Sequence, residues 1–117
     1  MVLCAGLGTR LRPLTEEIPK TLLPVGDRPI LAHIARSLRT AGLSRIVINT
    51  HHLPDAFLRI LETLEIEAQV VHESKIRGTA GGVAGARHAF GPAPVLVWNG
   101  DILVEPPIAD LLATTGD

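Results

Sequence analysis

Short apolar segments alternate with helical segments along the chain, and this alternation constrains the fold more than any other feature of the sequence. Strands are expected at four places: 1–5, 45–50, 67–72 and 94–98. Helices are expected between and after them, at 29–41, 55–64, 79–90 and 107–113. Because strands that alternate with helices are joined by right-handed crossovers, the sheet should be largely parallel. We therefore expect an α/β fold, built as a single domain over residues 1–117.

The composition fits a buried sheet and excludes several classes of function. Hydrophobic residues make up 46% of the chain but aromatic residues only 3%, so the core must consist of Val, Ile, Leu and Ala, as in strands covered by helices on both faces. A net charge of −1 gives no general attraction to nucleic acid or to an anionic membrane. The apolar segments are too short to span a membrane. Cys4 is the single cysteine, which excludes a disulfide within the chain, is expected in the core and favours a cytoplasmic location.

The loops that follow the strands are the expected site, because ligands of parallel α/β sheets bind beyond the carboxyl ends of the strands. Those loops begin at Gly6, Asn49, Glu73 and Asn99. Residues 6–28 hold so many glycines and prolines that no helix or strand period survives, which predicts a long functional loop. Asn49 is interpreted as a cap or turn group. Glu73 is interpreted as a turn residue, with contact to a ribose as the alternative.

The segment Gly6-Leu7-Gly8-Thr9-Arg10 has the features of a phosphate-binding loop. Glycines directly after a strand let backbone N–H groups approach a phosphate chain, and an arginine can grip phosphate oxygens with two hydrogen bonds. A plain tight turn is the alternative. The dinucleotide fingerprint is excluded because Leu11 stands where its third glycine belongs, and the chain lacks the Gly-Lys-Ser/Thr tripeptide of the other common phosphate loop.

Two further charged residues are candidates for a role in catalysis. Lys20 lies between two prolines, so its positioned ammonium could neutralise charge on a transferred phosphoryl group, and a solvated surface lysine is the alternative. Asp101 follows the fourth strand, where metal binding competes with an ordinary turn. The histidines show no metal-ligand spacing with Cys4 or with paired acids, so most are expected to be solvated or satisfied by local hydrogen bonds.

Together these motifs resemble the signature of the sugar-phosphate nucleotidyltransferases, also called nucleoside-diphosphate-sugar pyrophosphorylases. The matching stretches are Gly6-x-Gly8-Thr9-Arg10-Leu11-x-Pro13-Leu14-Thr15, Pro19-Lys20-x-Leu22-Leu23-Pro24-Val25, Gly78-Thr79-Ala80-Gly81 and Asn99-Gly100-Asp101. The resemblance extends from residue 2 to about residue 110. It implies a Rossmann-like three-layer sandwich of the nucleotide-diphospho-sugar transferase type, of which residues 1–117 would be a truncated, N-terminal part.

The resemblance also implies a role for each matching residue. Arg10 would hold the β- and γ-phosphates that leave as pyrophosphate, and Lys20 would stabilise charge near the α-phosphate. Asp101 would coordinate Mg²⁺. The remaining matching residues would form the loops that wrap the nucleotide and contact its base and ribose: Gly6, Leu7, Gly8, Thr9, Gly78, Thr79 and Gly81.

The implied reaction joins a nucleoside triphosphate and a sugar 1-phosphate into a nucleotide sugar and releases pyrophosphate. The acceptor-sugar pocket and a second metal-binding aspartate would lie after residue 117, so we expect these residues alone to be insufficient for activity. Two alternatives stay open: a non-catalytic regulatory domain that binds nucleotide sugars, and a cytidylyltransferase that acts on a phosphorylated alcohol such as phosphocholine. The base and the sugar are undetermined. Exposed sheet edges would favour pairing between copies of the chain, so a homo-oligomer is an expected state.

Overall fold

The computed structural model describes residues 1–114, and most of its strands form one parallel sheet. The strands are β1 Val2–Leu3, β2 Pro24–Val25, β3 Arg28–Pro29, β4 Ile46–Thr50, β5 Ala68–His72 and β6 Trp98–Asn99. The sheet has the order β5-β4-β1-β6, and each neighbouring pair in it is parallel. β2 and β3 pair with each other as a small antiparallel hairpin. The predicted parallel sheet is therefore confirmed.

Helices follow the strands in the order that crossover connections require. Their bounds are α1 Leu14–Glu17, α2 Ile30–Thr40, α3 Pro54–Thr63, α4 Gly78–Gly85 and α5 Ile108–Ala113. Proline precedes α2 and begins α3, where a missing backbone N–H leaves no helical hydrogen bond unmade. None of the helices within residues 1–114 combines the length and the apolar character that a membrane span requires.

The helices cover both faces of the sheet, which makes three layers. Every residue of β4 is buried, as expected for a strand that is covered on both sides. Because successive side chains of a strand point to opposite faces, Ile46 and Ile48 enter one core while Val47 enters the other. The larger core packs the sheet against α2, α3 and α5, with Phe57 among its fully buried side chains. The smaller core packs the sheet against α4 through Ala86 and Val83.

The structure corrects four predicted segments. Residues 6–28 are not featureless: short 3-10 turns at Thr9–Leu11 and Lys20–Leu22, α1 and the β2–β3 hairpin order them through local hydrogen bonds. The predicted helix over 79–90 ends at Gly85 and continues as a 3-10 turn. The predicted strand over 1–5 is reduced to β1, and the predicted strand over 94–98 is reduced to β6, because the two-residue β1 pairs only with the end of that segment.

We predict that the larger core depends strongly on Phe57. Phe57→Ala removes a fully buried ring and should lower the free energy of unfolding by about 3–5 kcal/mol, because of lost burial and an unfilled cavity. Leu58→Ala, on the exposed side of the same helix, is the matched control and should change it by less than about 0.5 kcal/mol. Denaturant unfolding followed by circular dichroism measures both. Equal losses in the two variants would contradict the assignment of the core face.

Candidate active site

A cleft of about 660 Å³ lies at the carboxyl edge of the parallel sheet. It is lined by residues at or just after the ends of all the sheet's strands: Leu3, Asn49, Glu73 and Asn99. The register accounts for this convergence, because Leu3 pairs with both Asn49 and Asn99. This is the place where open α/β sheets bind their ligands.

One wall of the cleft is the loop that follows β1, and hydrogen bonds hold this loop in place. The carbonyl of Gly8 accepts hydrogen bonds from the Leu11 N–H and from the Thr15 hydroxyl, both at 2.8 Å. Thr15 is buried, and its own carbonyl accepts a 2.7 Å hydrogen bond from Nε2 of His52, which follows β4. The loop is thus fixed to the sheet before any ligand binds.

A second wall of the cleft is formed by Gly78 and Thr79 at the start of α4. Gly8 and Gly78 each turn the chain at a positive φ, 63° and 69°, a backbone conformation that favours glycine. Two glycine turns therefore face one cleft, as the resemblance implies for a nucleotide held between two loops.

The charged side chains gather at one end of the cleft. Nζ of Lys20 lies 2.6 Å from Oδ2 of Asp101, and Arg10 lines the same cleft. The hydrogen bond from Lys20 lowers the pKa of Asp101; partial burial opposes this, and the charges of Lys20 and Arg10 add to the lowering. Asp101 is therefore ionised at neutral pH. The cleft combines the cations Arg10 and Lys20 with the carboxyl groups of Asp101 and Glu73, a composition suited to phosphate groups and a divalent ion.

The turn that carries Asp101 is packed tightly against β1. The N–H of Gly100 donates to the carbonyl of Leu3 at 2.9 Å, and the indole N–H of Trp98 donates to the carbonyl of Ile102 at 2.9 Å. A Cβ at Gly100 would lie 2.5 Å from the Leu3 oxygen and 2.7 Å from Cγ2 of Thr21, so a side chain here requires the turn to move. Trp98 is a core residue, and its indole also holds the Asp101 turn.

Most of the predicted site residues meet in this cleft. Those that line it are Gly6, Gly8, Thr9, Arg10, Lys20, Gly78, Thr79 and Asp101. Leu7 and Gly81 are not among its lining residues. Leu7 is partly exposed, and a Cβ at Gly81 would meet the side-chain stem of Arg77 rather than the cleft.

The part that two lining residues play was not predicted from the sequence. Asn49 is not a cap or turn group: it is the fourth residue of β4 and is 2% exposed. Glu73 lies just after β5, at the predicted turn, but it is only 4% exposed and accepts hydrogen bonds through its side chain. A signal was present, since both are polar residues at the carboxyl ends of adjacent apolar strands. Thr21, a buried threonine beside Lys20, also lines the cleft and was not singled out.

The histidines and the cysteine behave as the sequence predicts. The ring nitrogens of four histidines lie within hydrogen-bond distance of backbone carbonyls: His33, His51, His52 and His88. Cys4 belongs to the core, and burial raises the pKa of its thiol to about 12. Because the thiolate is the nucleophilic form, this thiol is inert at neutral pH.

The donor set at Asp101 fits Mg²⁺ bound together with a substrate. Within residues 1–114 no three His, Cys, Asp or Glu side chains form a cluster that could hold a metal ion by themselves. Mg²⁺ in nucleotide enzymes is usually bound by one or two carboxylates, with phosphate oxygens and water as the other ligands. Asp101 can supply such a carboxylate, since it is ionised and lines the cleft that the phosphates would enter.

Comparison with known proteins gives matches over the whole chain. A family model described as nucleotidyl transferase matches residues 1–116. Mannose-1-phosphate guanyltransferase of Schizosaccharomyces pombe is 37% identical over 119 residues, which cover 97% of this chain and 33% of the relative. The chain thus spans about a third of the length of the curated relatives it matches.

Solved structures share the fold. HddC from Yersinia pseudotuberculosis has a TM-score of 0.86 at 24% identity, covering 99% of this chain and 53% of HddC. At that identity the likeness shows the fold alone. The CTP:phosphocholine cytidylyltransferase LicC from Streptococcus pneumoniae is 36% identical with a TM-score of 0.52, covering 60% of this chain and 31% of LicC.

We predict that Gly100→Ala displaces the Asp101 turn. The added methyl group meets the Leu3 carbonyl, so the free energy of unfolding should fall by about 1–3 kcal/mol, as for other overpacked sites. Gly91→Ala is the matched control, because its Cβ would make only an ordinary 3.5 Å contact with Nη1 of Arg45. Thermal unfolding of both variants measures the difference. A Gly100→Ala protein as stable as the control would contradict the close approach.

We predict that Lys20→Met raises the pKa of Asp101 toward its ordinary value of 3.8, because the hydrogen bond that chiefly lowers it is lost. A carboxylate with a lowered folded pKa stabilises the native state above its unfolded pKa, and this contribution disappears as pH falls through the folded pKa. Because the Asp101 side chain is 40% exposed, the change in the free energy of unfolding should be small. An NMR titration of the carboxyl carbon measures the pKa, and an unchanged value would contradict the ion pair.

Proposed function

This chain belongs to the nucleotidyl transferase family, and we propose that it provides the nucleotide-binding and catalytic groups of an enzyme that forms nucleotide sugars. The enzyme would transfer a nucleoside monophosphate from a nucleoside triphosphate to a sugar 1-phosphate. One observation carries the proposal: Arg10, Lys20 and Asp101 line a single cleft, between two glycine turns, at the carboxyl edge of a parallel sheet.

The reaction is an in-line displacement at the α-phosphorus. An oxygen of the acceptor phosphate forms a bond to that phosphorus while the bond to the β-phosphate oxygen breaks, and pyrophosphate leaves. Such a reaction depends mainly on positioning the reactants and on stabilising their charge. The protein's task is therefore to hold several anionic groups together in one place.

The cations of the cleft suit this task. The guanidinium of Arg10 can hold the departing phosphates through paired hydrogen bonds, and the ammonium of Lys20 can stabilise charge beside the attacked phosphorus. Asp101 would hold Mg²⁺, which supplies further shielding of the repulsion between phosphates when bound. The 2.6 Å contact with Asp101 keeps Lys20 at the cleft and keeps the carboxylate ionised.

We propose GTP and mannose 1-phosphate as the first substrate pair to test. The support is the name and the 37% identity of the Schizosaccharomyces pombe relative, which matches nearly all of this chain. The need for Mg²⁺, a cytoplasmic location and assembly into homo-oligomers stay predictions. The single buried cysteine is compatible with a reducing compartment.

The two alternatives have less support. Similarity to the phosphocholine cytidylyltransferase covers 60% of the chain at a TM-score of 0.52, whereas the guanyltransferase match covers 97% of it. A regulatory domain that only binds nucleotide sugars would have no need of all three groups of the proposed transfer reaction, and this chain has Arg10, Lys20 and Asp101 together in one cleft.

The proposal predicts that pyrophosphate release by the complete protein depends on Arg10 and Lys20. Arg10→Met and Lys20→Met should each lower kcat/KM by about a hundredfold or more, as for other groups that stabilise transition-state charge. Arg12→Met is the matched control: Arg12 belongs to the same segment but is not among the residues that line the cleft, and its loss should change the rate by less than about twofold.

The assay pairs GTP, UTP, dTTP, ATP and CTP with a panel of sugar 1-phosphates and with phosphocholine. Pyrophosphate release with CTP and phosphocholine alone would favour the cytidylyltransferase. Nucleotide binding without release from any pair would favour a regulatory domain. A thermal-shift screen of the same nucleotides with Mg²⁺ reports that binding, since a ligand that binds only the folded state raises the melting temperature.

A further inference from the structure

Two residues that line the cleft, Asn49 and Glu73, form a buried polar pair. Nδ2 of Asn49 donates a 2.7 Å hydrogen bond to Oε1 of Glu73, and both side chains are almost fully buried. Buried carboxyl oxygens are destabilising unless they accept hydrogen bonds. Here they do, since Oε2 of Glu73 also accepts from the N–H of Arg77 at 3.1 Å.

The orientation of the Asn49 amide is fixed by its other partner. Its Oδ1 accepts a 2.8 Å hydrogen bond from the N–H of Cys4, so its NH₂ group must face Glu73. The result is a chain of three hydrogen bonds from Cys4 through Asn49 and Glu73 to Arg77. In this chain of bonds every N–H group can only donate, and every oxygen accepts.

This chain of bonds joins the two walls. Cys4 is two residues before Gly6, where the first glycine loop begins, and Arg77 directly precedes Gly78 in the second. The two loops are more than 60 positions apart in the sequence, and the Asn49–Glu73 pair links their starting points through β4.

Glu73 is further held through its backbone, and α4 packs directly on the pair. The N–H of Glu73 donates to the Thr50 carbonyl at 2.7 Å, and its own carbonyl accepts from Nδ1 of His51 at 2.7 Å. A Cβ at Gly82 would lie 2.7 Å from Nδ2 of Asn49 and 2.9 Å from Oε1 of Glu73. Glycine at this position thus lets the helix that carries the second loop approach the pair.

We propose that Asn49 and Glu73 are positioning residues that set the separation of the two nucleotide loops and thereby control the affinity for the nucleoside triphosphate. This inference rests on the proposed function of the cleft. Within residues 1–114 the side chains of the pair form no hydrogen bond with Arg10, Lys20 or Asp101, so the loss of the pair should affect nucleotide binding more than the transfer step.

The test exchanges the amide of Asn49 and the carboxylate of Glu73 between the two positions. In Glu73→Gln the side chain keeps one acceptor oxygen but must face two N–H donors, so one hydrogen bond is lost whichever way the amide turns. In the double variant Asn49→Asp with Glu73→Gln, Asp accepts from the Cys4 N–H and from the Gln NH₂, while the Gln oxygen accepts from the Arg77 N–H. All three bonds are then restored, with the middle one reversed.

For the complete protein we expect Glu73→Gln to raise the KM and the Kd for GTP with Mg²⁺ about tenfold while kcat falls by less than about threefold. The double variant should recover both constants to within about threefold of the wild type. Glu67→Gln, an exposed glutamate just before β5, is the control and should match the wild type. A double variant as weak as Glu73→Gln would overturn the proposal, since it would mean that the carboxylate itself meets the nucleotide.

A measurement without nucleotide separates this proposal from the proposed function. Hydrogen exchange is followed at the Cys4 and Arg77 amides, which donate at the two ends of the chain of bonds. At least one of them should exchange faster in Glu73→Gln, and both should return to the wild-type rate in the double variant. If that pattern holds but no nucleoside triphosphate binds the wild type, the proposed function fails while the link between the loops stands. If both amides exchange at the wild-type rate in Glu73→Gln, the link itself is refuted.

Discussion

The register of one short strand fixes the position of the whole site. β1 has only two residues, yet it pairs with β4 on one side and β6 on the other, so Leu3 lies beside Asn49 and Asn99. A slip of one residue would turn every side chain of the strand to the opposite face and separate these strand ends. The two cores prevent that slip, because Val2 and Leu3 are packed on opposite sides of the sheet.

The same register concentrates charge in a protein that is nearly neutral overall. With a net charge of −1, the chain as a whole does not attract anions, and screening limits the reach of exposed charges to about 10 Å. Attraction to a triphosphate must therefore arise within the cleft, from Arg10 and Lys20. Because Lys20 is paired with Asp101, one of the two cations is already partly neutralised. A divalent ion at Asp101 would add the positive charge that four or more phosphate charges require.

The sequence predicted those elements and site residues whose pattern lies within a few neighbouring positions of the chain. The helices α2 and α3 and the strands β4 and β5 were predicted to within one or two residues, because periodicity and proline report on neighbouring positions. Two glycine motifs and three charged residues were placed in one cleft from their position after strands. The segment 94–98 and the roles of Asn49 and Glu73 depend on partners far along the chain, such as Cys4 for Asn49. The local pattern marks Asn49 and Glu73 as polar residues at strand ends, but it does not identify these partners.

A buried carboxylate and amide are an unusual way to join two loops, since apolar residues of similar volume are often at least as stabilising. Apolar contacts, however, tolerate sliding, whereas a hydrogen bond between fixed donors and acceptors specifies both distance and direction. Glycine-rich loops are the parts of a fold most able to move, and ordering them on binding weakens affinity. A chain of bonds from Cys4 to Arg77 fixes the start of each loop in advance. The polar pair thus exchanges some stability for a defined cleft width, which is the quantity that nucleotide binding depends on.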